Sequence, residues 1–475
     1  MKTFLLLFII VLSSSAFAQS GYEHLAVNAH GMGRTYVVSA KGLDAVGLNP
    51  ARLYDKYSKQ FEVRLFPLAS YGIDAGPSFR DPNAIDNIFG ILSDSVTDQD
   101  RKDAIFVLQD QKLSGRSDLS VLGASYSTEN IGTFAFTWST HAAVRTDIPQ
   151  DFLDFLYRAE SIVAQTGGYY SGLDVQALWY NDFAISYGNR ILENPNDSIG
   201  FFQFLDVGGS AKIIGGVGSY QLLPGNYFQV YEPFGGTPVK VNYTILSSYS
   251  DDFDPQNVPN RISFAFLTPS NAGNGFGFDL GAYAGFIPTK LKKPALLVGA
   301  SVTDIGSITW TNHAQVRAVY NDSQYFAFQG TVKDLNDSLK VFEGDLHDTA
   351  SFVTALPTVF RIGSTLNIGA MGKRWFGFYP TLAMEYSVGL SETVGSFMNN
   401  RLGLGLGMNR QIGQHEVRFG LGFAFQKNLT DMTLGIGTTL ANTVAIDIAT
   451  AHFTDLFKSQ ATLDIAFSIK AQFNL

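Results

Sequence analysis

From Leu463 to Leu475 every second residue is apolar: Leu463, Ile465, Phe467, Ile469, Ala471, Phe473 and Leu475. Asp464, Ala466, Ser468, Lys470, Gln472 and Asn474 stand between them, polar or small. Successive strand side chains point to opposite faces, so this segment is a strand with one apolar and one wet face. Val417, Phe419, Leu421, Phe423 and Phe425 repeat the pattern, as do Leu402, Leu404, Leu406 and Met408. Opposite those last four lie Arg401, Gly403, Gly405 and Gly407. Inward glycine either lets another backbone approach closely or simply thins a wall, and the pattern alone leaves both open.

Fifteen or so segments carry this texture. They are Gln60–Tyr71, Asp118–Ser127, Gly132–His141, Asp182–Ile191, Val207–Gly218, Val239–Ser247, Phe276–Phe286 and Ala295–Thr303, then Pro357–Ile368 and Tyr379–Leu390. Arg401–Gln411, Glu416–Gln426, Met432–Leu440, Thr443–Ala451 and Ala461–Leu475 complete the series. Gly413-Gln414 and Lys427-Asn428 read as tight hairpin corners. The expected fold is all-β, a transmembrane antiparallel barrel of about 14 or 16 strands. Long polar inserts at 74–117, 142–181, 248–275 and 304–356 are the expected extracellular loops. Helical spacing appears in Asp151–Ile162 and Asn83–Leu113, as caps over the mouth or as packing among loops.

The chain opens on Lys2, an apolar run from Phe4 to Leu12, serines at 13–15 and Ala16-Phe17-Ala18. This is a signal peptide over 1–18, with Gln19 as the expected mature start. The run is far short of the ~20 residues a spanning helix needs. Export under this signal places the protein in the outer membrane of a Gram-negative bacterium, where lipid and the assembly machinery are its expected partners, the latter through Phe467, Ile469, Phe473 and Leu475. Only 16% of residues are charged, against roughly 25% in soluble domains, while 45% are hydrophobic. With 39 Phe, 21 Tyr and 47 Gly, this is the composition of a barrel wall. A formal charge of −9 argues against nucleic acid, and the absence of cysteine excludes disulfides and a lipidated cysteine.

Residues 19–57 have another texture, including Gly31-Met32-Gly33-Arg34 and Asn49-Pro50-Ala51. Gly31-x-Gly33 is not a dinucleotide loop, because Tyr36 occupies the third glycine position. With these elements ahead of the strands at 58–475, the chain resembles the FadL/TodX-type outer-membrane transport family. That family's mature N-terminus forms a hatch inside a 14-stranded barrel, with a G-M-G-like turn and an N-P-A element before the first strand. Asp304, Gly306 and Trp310 after a strand look like an element of a poorly characterised branch, which also resembles the barrel component accompanying type IX secretion. The resemblance implies a hatch carrying Gly31, Met32, Gly33, Asn49, Pro50 and Ala51. It also implies passage of hydrophobic small molecules such as fatty acids through a Phe-lined pocket. Arg34 and Lys41 either meet a ligand headgroup or pair with lumen acids. The alternative function is a scaffold or shuttle binding protein partners at the extracellular loops.

No enzyme, cofactor or metal centre is expected. The seven histidines fall in no H-x-x-x-H frame, and no Gly-x-Ser-x-Gly elbow is present. Asp251–Asp254 and Asp334–Asp337 offer oxygens for Ca²⁺ but lack the EF-hand order, and short acidic runs are ordinarily solvated. Trp138, Trp179, Trp310 and Trp375 are candidates for interfacial girdles or for internal packing.

Overall fold

The computed structural model describes residues 22–54, 61–66, 69–75, 115–128, 131–147, 149, 168–194, 201–230, 237–251, 271–287, 293–326, 345–348, 351–394, 400–426, 429–454 and 463–473. Among them, 14 antiparallel strands close into a barrel. The first is β1, Phe61–Leu65 continued by Ser70–Ala75, followed by β2 (Gly115–Thr128), β3 (Gly132–Asp147) and β4 (Asp174–Glu193). Next come β5 (Phe202–Leu222), β6 (Gly273–Phe286), β7 (Leu296–Trp310) and β8, Phe352–Ala355 continued by Val359–Asn367. Then follow β9 (Tyr379–Gly389), β10 (Arg401–Ile412), β11 (His415–Gln426), β12 (Leu429–Leu440), β13 (Val444–Thr450) and β14 (Leu463–Phe473). The first and last strands close the wall, with Phe61 opposite Phe473 and Asp74 opposite Asp464.

One expected wall strand is not in the wall. Thr237–Tyr249, which contains Val239–Ser247, pairs with the far end of β5 and with Gln315–Phe326. β5 itself pairs directly with β6 from Gly216↔Gly273 to Phe202↔Phe286, leaving no place between them. The alternation of Val239–Ser247 is that of a sheet standing beyond the barrel rim. The expected loops also begin too early. β3 runs on to Asp147, β4 starts at Asp174 and β7 reaches Trp310, because strands continue past the membrane where the apolar phase fades. Asp304, Gly306 and Trp310 therefore lie within a strand rather than after one. The segments 83–113, 151–162, 252–254, 334–337 and 427–428, the signal peptide and Leu475 lie outside the described residues.

Side chains sort by face. Ile213, Phe276 and Leu280 are 62%, 65% and 60% exposed, whereas their neighbours Lys212 and Asp279 are buried. Such residues recur around the circumference and form a band that a bilayer covers. The expected Phe lining is largely reversed, since Phe134, Phe136, Phe183, Phe278, Phe423 and Phe425 are all on this exposed face. The inward phase is polar because the lumen is packed with charged partners. Trp138 stacks on Phe183 at 5.3 Å, and Trp375 is exposed beside Phe376 at a turn. Trp179 and Trp310 are buried, with indole N–H groups donating to Thr140 and Thr354.

Candidate functional site

Residues 22–54 are folded against the inward side of the wall. They contain α1 (Val27–His30), α2 (Tyr36–Ser39) and 3₁₀ turns at Gly42–Ala45 and Pro50–Leu53. α1 contacts β12, β13 and β14, α2 contacts β7, β8 and β9, and Pro50–Leu53 contacts β4, β5 and β6. The segment therefore touches three separate arcs of the closed wall. Tyr36, Leu48 and Leu53 are fully buried there.

Wall glycines make the seat. A Cβ on Gly405 would strike the Met32 carbonyl oxygen, and one on Gly422 would strike the Gly33 nitrogen. Gly31 lies against the backbone of Gly435. Close approach therefore decides between the two readings of inward glycine on β10, β11 and β12. Thr433 Oγ1 accepts from Gly33 N at 2.8 Å and donates to Gly31 O at 3.1 Å. Farther on, Asn49 caps its turn by accepting from Ala51 N at 3.2 Å, with Pro50 in the first turn. Asn49 Nδ2 donates to Val37 O and to Ala282 O on β6.

Buried charge ties the segment to the wall. Glu23 takes Arg361 at 2.8 Å and Arg401 at 2.7 Å. Burial pushes its carboxyl up, but the two guanidiniums outweigh this and hold it at about 2. His24 Nδ1 is 2.9 Å from Asp118, which also meets Arg116 at 2.6 Å and His141 at 2.8 Å. Tyr22 donates to Asp182, and Val37 N donates to Glu385 at 2.6 Å. Arg34 pairs with Asp464 at 3.2 Å and lies 3.8 Å from Asp431, so lumen acids surround it. None of Glu23, Asp118, Arg361, Arg401 or Asp464 stands out by spacing. For the four on strands the available signal was a charged residue at the inward phase, whereas Glu23 precedes the strands and carried no such signal.

Asp304 has a reason for its place. It sits at a bulge with φ of 57°, and its N–H donates to Asp279 at 2.8 Å. Lys212 bridges the two carboxylates, at 2.5 Å from Asp304 and 2.9 Å from Asp279. Gly306 has no room for a Cβ against the Phe276 carbonyl, and Trp310 covers Gly216 and Gly273. Trp310 belongs to an apolar layer at the loop end of the lumen, with Leu178, Tyr180, Ile214, Ile308 and Phe352.

The short-turn end is the opposite. A cavity of about 350 Å³ lies there, lined by Lys41, Asp44, Arg52, Glu62, Arg418 and Lys470 among others. Arg418 meets Asp447 at 3.0 Å, and Lys470 meets Asp44 at 3.0 Å. Lys41 is exposed to this cavity, and Arg34 is not part of its lining. Phe467, Ile469 and Phe473 lie on the outer phase of β14, and Phe473 is 41% exposed.

A family model, described as a family of unknown function and designated DUF5723, matches residues 59–447. The chain belongs to DUF5723. The matched span of this DUF5723 chain takes in the wall from just before β1 into β13 and leaves out the lumenal segment. No curated protein matches it. Among solved structures, the toluene transporter TbuX of Ralstonia pickettii is 11% identical with a TM-score of 0.44, over 95% of this chain and 99% of that one. The Pseudomonas putida toluene transporter TodX is 10% identical with a TM-score of 0.41, over 96% and 98%. A Pseudomonas aeruginosa FadL homologue is 10% identical with a TM-score of 0.44, over 97% and 99%.

Proposed function

We propose that this protein passes apolar small molecules across the outer membrane of a Gram-negative bacterium, with Tyr22–Tyr54 as a hatch that shifts. The observation that carries this reading is the order of layers along the lumen. An apolar layer around Trp310 faces the long loops, the segment 22–54 follows, and the charged cavity opens toward the short turns. An apolar solute entering from the loops meets side chains that favour it and is released into wet surroundings beyond the hatch. Among the described residues, no strand pairing joins the hatch to the wall, and the chain has no cysteine for a disulfide, so the hatch can move without breaking the wall. In this reading Gly31, Met32, Gly33, Asn49, Pro50 and Ala51 seat the hatch, and Lys41 greets a polar headgroup on the cavity side.

A tether tests it. Val27 packs against Ala449 on β13, and the chain has no native cysteine, so Val27→Cys with Ala449→Cys introduces a lone pair. In proteoliposomes carrying toluene or a long-chain fatty acid, oxidation is expected to stop passage and reductant to restore it. Unchanged passage in the oxidised protein overturns the moving hatch. The dense ion pairing around Glu23 favours a second reading, a sealed scaffold that binds protein partners at its loops. Absence of passage for either probe in the untethered protein would point there.

A further inference from the structure

Spacing along the chain points to no metal, yet folding gathers a compact donor set where the wall closes. Asp74 on β1 and Asp464 on β14 are direct register partners across the seam, and His452 follows β13. Donor atoms of Asp74, His452 and Asp464 all lie within 4.8 Å of one another, and all three side chains are buried. We propose that these three residues form a site for a divalent first-row metal ion, zinc being the best fit, which staples the barrel seam beside the lumenal segment.

The decisive residue is Asp74. It is 0% exposed, and neither carboxylate oxygen has a hydrogen-bonding partner among the described residues. A buried carboxylate without a donor is costly, and a cation supplies what the protein does not. The other two ligands are already oriented. His452 Nδ1 is 3.1 Å from Asp431 Oδ1, the carboxylate–imidazole arrangement that turns the other ring nitrogen toward a metal. Asp464 is fixed by His30 Nε2 at 2.7 Å, Arg34 Nη2 at 3.2 Å and the Ala451 N–H at 3.1 Å. His24 Nε2, which makes no hydrogen bond, stands 3.5 Å from Asp464 Oδ2 on the lumenal side.

Charge and donor type select the ion. Asp74, Asp431 and Asp464 gather around the guanidinium of Arg34, so carboxylates outnumber that cation among the described residues, a balance that favours a further positive ion. One nitrogen and two carboxylates suit zinc, and three protein ligands leave a fourth position open. Calcium takes six to eight oxygens, more than this set holds.

The test uses the untagged mature protein in detergent, stripped with a chelator, reloaded with zinc and dialysed. Retention of about one zinc per chain is expected by elemental analysis. Asp74→Asn and His452→Gln should each cut retention by about 10-fold or more. His415→Gln, exposed at the start of β11, should leave it unchanged. Cobalt bound to the wild-type protein should absorb strongly in the visible as a four-coordinate ion and be displaced by zinc. No retained zinc, a weak six-coordinate cobalt spectrum, or full retention in Asp74→Asn overturns the proposal. If the variants do not fold, the wild-type cobalt and zinc measurements decide it.

Discussion

Glu23 shows how much of this lumen depends on single residues. It pairs with two buried guanidiniums at once, and Gln in its place removes one of the two carboxylates, Glu23 and Glu385, that Arg361 and Arg401 share. Glu23→Gln should destabilise the seated segment by about 3–5 kcal/mol, read by denaturant titration of protease access to residues 22–54. Its pH dependence has a definite sign. The carboxyl lies at about 2 rather than its usual 4.5, so its contribution is complete above 4.5 and is lost as pH falls toward 2. Protease access to the segment should therefore rise across that interval in the wild type and change less in Glu23→Gln. Sequence reading singled out Arg34 and Lys41 for the texture around them and passed over Glu23. Nothing in local spacing relates position 23 to positions 361 and 401; only closure of the wall makes them neighbours.

Among elements, the glycine-bearing strands β10, β11 and β12 are the most telling. Their alternation is plain in the sequence, but that their bare inward face is a seat follows from where Gly31-Met32-Gly33 comes to rest. Ala at Gly405 or Gly422 would push on the backbone of that turn, which is held less firmly than the paired strands. Each should cost about 1–3 kcal/mol in seating and raise conductance in planar bilayers while the barrel stays folded. Gly209→Ala is the control, since its added carbon meets nothing nearer than 3.5 Å, and it should stay within about 0.5 kcal/mol of wild type. β7 carries the other lesson. Its continuation to Trp310 is hidden because Asp304 interrupts the apolar phase, and the bulge that accommodates it depends on Asp279 and Lys212 from neighbouring strands.

For the whole molecule, the outward band sets what the bilayer tolerates. Ile213→Arg, on the exposed face within β5, should destabilise the barrel by about 2–4 kcal/mol in lipid vesicles, whereas Phe376→Arg at an exposed turn should cost about 0–1 kcal/mol. Denaturant unfolding followed by tryptophan emission checks both. Removing residues 22–54 should leave the wall closed, since its strands pair with one another and not with that segment. The shortened protein is expected to keep its heat-modifiable mobility on gels and to conduct ions freely.

Period-two alternation by itself determined the all-β class, the apolar outer face and the inward phase of each strand. That information is local, because a strand's two faces are written in consecutive residues. Which strands belong to the wall was decided by pairing, and Thr237–Tyr249 was left out because β5 and β6 meet along their length. The charged lumen, the seat for residues 22–54 and the Asp74, His452 and Asp464 cluster were likewise decided only in three dimensions. Buried charges are stabilised by partners brought from distant parts of the chain, and a linear sequence does not record that proximity.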